Sequence, residues 1–224
     1  MSRSRRRMLI PAAVTVLAAW ACAEIIGPTR GGLYEWRLFV PFDSLGPRID
    51  SLTFHWPQSS LPVKYWVEDS LQAPAHVRAA LERWKGAFLY REFDAVLVND
   101  SNSADVIVLV LQPPVKPAPP GLRLRSMLPE CEGATDIDTV ATRHQFRIPA
   151  RVYLNPRFFT NALAACMEIT ATHEIGHSLG LFVHSADPLD VMFADPSAQR
   201  LSDLDVRTVE AIYHLLNEMV PTRP

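Results

Sequence analysis

The sequence predicts an α+β chain of α/β-like character, a twisted mixed sheet covered by helices, and three observations carry that prediction. Stretches with a two-residue alternation interleave with stretches of helical period; their order runs strand, helix, strand, strand, loop, strand, helix; and no internal repeat interrupts it. With 224 residues and 48% hydrophobic content, the chain can bury one substantial core, or one domain split by a cleft, but not two full-sized domains.

The first 23 residues are read as a targeting segment. "MSRSRRRMLIPAAVTVLAAWACA" joins an arginine-rich start to an apolar run from Met8 to Ala21 and then to small residues. This is the layout of a secretory signal peptide, too short for a comfortable membrane span. "SRRRML" resembles a twin-arginine export signal, and "AAWAC" resembles a lipobox ending at Cys22, with Trp20 as a departure. Two outcomes stay open: cleavage after Ala21 or Ala23, or a lipidated Cys22 that attaches the chain to a membrane. Either one predicts an extracytoplasmic protein, secreted or lipid-anchored at the cell envelope.

Residues 24–60 read as a linker and lead-in segment, with turn formers in "GPTRGG" and "DSLGPRID" around short apolar patches. The folded domain is predicted over 61–220. "LPVKYWVED" (61–69) alternates with period two and is rich in β-branched and aromatic residues, so it is a strand. In "APAHVRAALERWKGAFLYREF" the residues Val77, Ala80, Leu81, Trp84, Ala87 and Phe88 fall three or four apart, which predicts an amphipathic helix on the sheet. Trp66 and Trp84 fall at core-facing positions. Strands follow in "DAVLVN" and "ADVIVLVLQ", the second apolar enough to be covered on both faces. The proline run "QPPVKPAPPG" (112–121) can be neither helix nor interior strand. "ARVYLN" (150–155) is a further strand, and a long helix is predicted from Phe159 or Thr160 to a cap at Gly180. The last helix carries an apolar stripe of Val206, Val209, Ile212, Tyr213, Leu216 and Met219, opened by a capping box of Ser202 and Asp205.

Charge narrows the function classes. A net charge of -2, with basic residues scattered among acidic ones beyond the N-terminus, gives no electrostatic footprint for nucleic acid. Outside the cytoplasm, with Cys22 removed or acylated, Cys131 and Cys166 remain as an even pair, which is most simply a disulfide. A competing role for Cys131 as a thiolate on a metal draws no support from "PECEG".

The chemistry concentrates in "HEIGHSLGLFVHS" (173–185). His173 and His177 are i and i+4, so on a helix their imidazoles project from one face and can reach one ion. Neutral imidazole suits zinc, and a catalytic zinc takes three protein ligands and keeps one position open. Gly180 can adopt positive φ and turn the chain back, which brings His184 within reach as the third ligand; Asp187 and Glu210 are the oxygen alternatives. Glu174 sits beside the first histidine, where a hydrolase needs a carboxylate to move a proton and a closed structural site does not. His55, His76, His144 and His214 lack ligand-spaced partners and read as surface or satisfied polar residues.

"HEIGHSLGLFVHSADPLDVMF" resembles the zinc-binding segment of the metzincins, and Ser185 after the third histidine resembles the matrixin branch of the peptidase M10 type. The likeness spans 60–217. It implies a metzincin catalytic domain with an active-site helix, a Met-turn around Met192 and a C-terminal helix. It also implies zinc held by His173, His177 and His184, Glu174 as the catalytic base, and a specificity wall around "FADPSAQR" (193–200). Departures are one extra residue before His184, Phe193 where tyrosine often follows the methionine, and no recognisable structural zinc or calcium loops in 113–149. The function implied is an exported zinc endopeptidase acting on protein or peptide, or else a zinc-holding binding module that no longer cleaves.

Overall fold

The computed structural model describes residues 32–41, 49–115, 122–140 and 144–223. The export signal read over 1–23, with Cys22, and the proline-rich residues 116–121 lie outside the described residues.

Nine strands and three helices are described. A separate antiparallel pair, β1 (Leu38–Pro41) and β2 (Ile49–Leu52), stands ahead of the main sheet. The sheet holds β3 (Val63–Val67), β4 (Ala95–Val98), β5 (Val106–Leu109), β6 (Leu122–Met127), β7 (Cys131–Val140), β8 (Gln145–Pro156) and β9 (Val220–Thr222). Its order is β4-β3-β5-β8-β7-β6, with β9 joined to the start of β8. The pairs β3·β4, β3·β5 and β5·β8 are parallel, whereas β7 runs antiparallel to β8 and β6 antiparallel to β7. The sheet is therefore mixed.

Two helices pack on the sheet and on each other. The first, α1 (Ala73–Gly86), opens with a proline in its first turn and buries Val77, Ala80, Leu81 and Trp84. It ends at Gly86, so Leu89 and Tyr90 leave the helix and are exposed, short of the extent that periodicity alone predicts. The second, α2 (Leu163–Ser178), starts a few residues later than predicted and is almost wholly buried from Cys166 onward. Trp84 joins the two, donating its indole N–H to the Thr172 carbonyl at 2.8 Å. The third helix, α3 (Asp203–Tyr213), begins with the predicted capping box, in which the Ser202 hydroxyl and the Asp205 carboxylate satisfy each other's backbone N–H groups. Val209, Ile212, Tyr213 and Met219 of its predicted stripe are buried, but Leu216 lies past the helix end and is exposed.

Two further expectations shift. Tyr65, not Trp66, occupies the buried face of β3, and Trp66 is half-buried. In β5, Val106 and Val108 are buried while Ile107 and Leu109 are half-buried, so the far face of the sheet has less cover than an all-apolar strand predicts. The lead-in residues supply much of the core: Trp36, Leu38, Leu52, Phe54 and Trp56 are all buried. Phe54 stacks on Phe146 of β8 at 4.2 Å between ring centroids, with Trp56 edge-on at 5.3 Å.

Cys131 at the start of β7 is disulfide-bonded to Cys166 in α2, across a sequence separation of 35. The bond ties the sheet to the helix that carries the histidines. Replacing both cysteines by alanine is expected to lower stability by about 3–4 kcal/mol through the freed unfolded chain, read as a lower midpoint in urea denaturation with a steeper slope, because the freed chain exposes more surface.

Candidate metal centre

The histidines are placed by the way α2 ends. Leu179 caps the helix, Gly180 follows at φ 109°, and the amides of Gly180 and Leu181 donate back to the carbonyls of His177 and Gly176 at 3.2 and 3.3 Å. This is a Schellman ending, and it needs glycine for two reasons. The φ is unfavourable for any side chain, and a Cβ here would stand 2.0 Å from the Phe54 carbonyl oxygen. The reversed chain then carries His184 back over α2. The extra residue in "LFV" is absorbed after the helix, in the stretch where Phe182 donates its amide to the Trp36 carbonyl at 2.9 Å.

Three imidazoles converge. His177 Nε2 lies 3.0 Å from His173 Nε2 and 3.2 Å from His184 Nε2, and the ligand atoms of the three all fall within 4.8 Å of one another. Nδ1 of His173 donates to the Val191 carbonyl at 2.7 Å, and Nδ1 of His177 donates to the Leu181 carbonyl at 2.5 Å. With those protons on Nδ1, the facing Nε2 atoms of His173 and His177 present lone pairs to each other. Facing lone pairs repel unless a cation stands among them. Three nitrogens at zinc bond lengths in a tetrahedral arrangement are about 3.3 Å apart, close to the 3.0 and 3.2 Å from His177 to its two neighbours, so the donor set is compatible with one zinc ion.

The environment keeps the rings neutral and ready to ligate. Burial lowers His173 to about 3, with the Val191 bond opposing and His184 adding to the effect. Burial, then the two neighbouring histidines, holds His177 well below the usual imidazole range, and burial lowers the half-buried His184 while Asp195 opposes.

Met192 is fully buried against α2 at Gly176. A Cβ on Gly176 would come within 2.4 Å of its sulfur, so the glycine inside α2 is what lets the methionine seat against the helix. The segment 185–193 closes on itself: Ser185 donates its amide to the Met192 carbonyl at 2.8 Å and its hydroxyl to Asp190, and Ser202 donates to Asp190 at 2.5 Å. Asp205 accepts from the amides of Val191 at 2.8 Å and Met192 at 3.4 Å, and from the Tyr34 hydroxyl at 3.2 Å. A line of hydrogen bonds thus runs from Tyr34 through Asp205 and the Val191 peptide to His173.

Residues 126–214 match the family model for matrixins. This segment is similar to the matrixin domain of the peptidase M10 type. The span takes in the end of β6 and the whole of β7, β8, α2 and α3.

Among the described residues the histidine cluster contains His173, His177 and His184 but neither sequence alternative: Asp187 instead accepts the Leu189 amide at 2.9 Å in a surface turn, and Glu210 lies on α3. His55 bonds to the carbonyls of Trp56 and Leu215, and His214 pairs with Glu92 at 3.3 Å. Glu174 is adjacent to the cluster in sequence but turned to the sheet. Its carboxylate is 0% exposed, accepting from the Ser126 hydroxyl on β6 and the Thr135 hydroxyl on β7, both at 2.6 Å. Burial pushes it up to about 8, against the lowering effect of the two hydroxyls. Ser126 and Thr135 went unnoticed in the sequence, although "LRLRSM" and "CEGATDID" both alternate as strands do.

Asp205→Ala removes the anchor of the Val191 peptide and leaves the three ligands in place. Zinc affinity is expected to fall by about 10–100-fold, measured by competition against a chromogenic chelator.

Proposed function

We propose that this chain is an exported zinc endopeptidase, and the observation that carries the reading is the convergence of His173, His177 and His184 on one point inside a matrixin-type core. Zinc held there supplies a Lewis acid that polarises a peptide carbonyl and acidifies a water. His173 and His177 are oriented by the carbonyls that take their Nδ1 protons, and His184 completes the three-nitrogen set that would hold the ion. Glu174 takes the proton of the attacking water on its carboxylate and delivers it to the nitrogen of the departing amine. Substrate is an extended peptide recognised by main-chain pairing along a strand edge, with residues 193–200 walling the side-chain pocket. The N-terminal segment directs the chain out of the cytoplasm, either released or held to the membrane through a lipidated Cys22, and nucleic acid is not a partner.

A second reading, a zinc-holding module that does not cleave, draws on one observation: the Glu174 carboxylate is enclosed and both of its oxygens are engaged. Cleavage of a mixed peptide library by the zinc-loaded protein, abolished by chelation and restored by zinc, supports the first reading; intact peptides support the second. Glu174→Gln is expected to retain one zinc per chain and to lose about 10²–10⁴-fold in kcat/KM. Cleavage at the wild-type rate would remove Glu174 from the mechanism.

A further inference from the structure

Recognition by main-chain pairing needs a strand edge whose N–H and C=O groups are free, close to the reacting groups. Glu174 faces β7 so closely that a Cβ on Gly133 would stand 2.2 Å from its Oε1. The outer edge of β7 at that place is already filled. Strand β6 covers it from Leu122 opposite Ile137 to Met127 opposite Glu132, and Ser126 sits directly across from Gly133 with its hydroxyl on the Glu174 carboxylate.

The two strands are held very differently. β7 has β8 on its other side and the Cys131–Cys166 bond to α2. β6 is the end strand of the sheet, Leu122 and Met127 are exposed, and Leu124 is only partly buried against the core. What fastens it is mainly polar: Arg123 grips Asp136 with two bonds of 2.6 Å, Arg125 lies 3.8 Å from Glu132, and Ser126 bonds Glu174. Polar groups released from such contacts are taken up again by water, whereas a buried apolar strand would resist removal.

The geometry points to β6 as a built-in occupant of the peptide-binding edge: an extended substrate reaches Glu174 and the histidine cluster by displacing Leu122–Met127 from β7. This rests on the endopeptidase reading above. It accounts for the enclosure of Glu174 within an otherwise complete site, and it makes Ser126 the residue that occupies the carboxylate until the strand leaves.

The test weakens the strand without touching the histidines or Glu174. Arg123→Glu places like charges at the Asp136 contact, and Arg123→Lys keeps the attraction. With the zinc-loaded full chain and a mixed peptide library, Arg123→Glu is expected to raise kcat/KM about tenfold by raising the fraction of open molecules, while Arg123→Lys stays near wild type. Amide exchange of residues 122–127 should quicken in Arg123→Glu while the β7 amides paired with β8 stay protected. Arg125→Glu, which places like charges at the Glu132 contact, serves if Arg123→Glu does not fold, and it too is expected to cleave faster. Wild-type cleavage with no gain in a folded, zinc-bound variant overturns the proposal alone. No cleavage by any form overturns the endopeptidase reading and the proposal together.

Discussion

Gly180 sets the geometry on which the metal centre depends. A buried helix must satisfy its last carbonyls and also let the chain escape, and here both happen within two residues. The same reversal places the Leu181 carbonyl against His177 and sends His184 back toward the other two rings. The Phe54 carbonyl fills the space that a side chain would need, and Trp56 and Tyr65 bond to Ser178 at 2.9 and 2.8 Å, so the turn is fixed from below as well. The ligand set is thereby positioned by backbone groups that have little freedom to move.

Burial acts on the acidic and basic members of the site in opposite directions. Desolvation disfavours charge, which leaves imidazoles neutral and their lone pairs available, and makes a carboxylate reluctant to ionise. Closure suits the ligands and hampers the base. The two hydroxyls on Glu174 partly offset that cost, and they come from the strand pair rather than from the helix that carries the histidines. The orientation of the histidines and the resting contacts of Glu174 are therefore set by different elements of the fold.

The histidine spacing, the glycine turn and the capping box are legible in the sequence because each is a local pattern with a local physical cause, whereas Met192 is marked there by the family resemblance alone. The i, i+4 spacing, a positive-φ glycine and a Ser-x-x-Asp box need no knowledge of distant contacts. The sheet was less visible. "LRLRSM" and "CEGATDIDTV" mix charge, glycine and small residues, so their alternation is a weak signal until pairing puts Ser126, Gly133 and Thr135 on one face. The lead-in segment reads as a linker because turn formers break its apolar residues into short patches with no sustained period. Their burial comes from long-range contacts such as Phe54 on Phe146, and composition does not report those. Trp66 shows the limit of period-two reading: alternation assigns two faces but does not say which one is inward.

The bond from Tyr34 to Asp205 spans 171 positions in sequence and ends two hydrogen bonds away from a metal ligand. Residues that look dispensable at the margin of the domain are thus part of the seat of the histidine cluster. Expression boundaries drawn at the first regular strand of the main sheet, Val63, would discard Tyr34, Trp36, Phe54 and Trp56 together, and with them the carbonyls that hold Phe182 and enclose Gly180. A shortened protein of that kind would keep every recognisable motif and lose the scaffold that aims them.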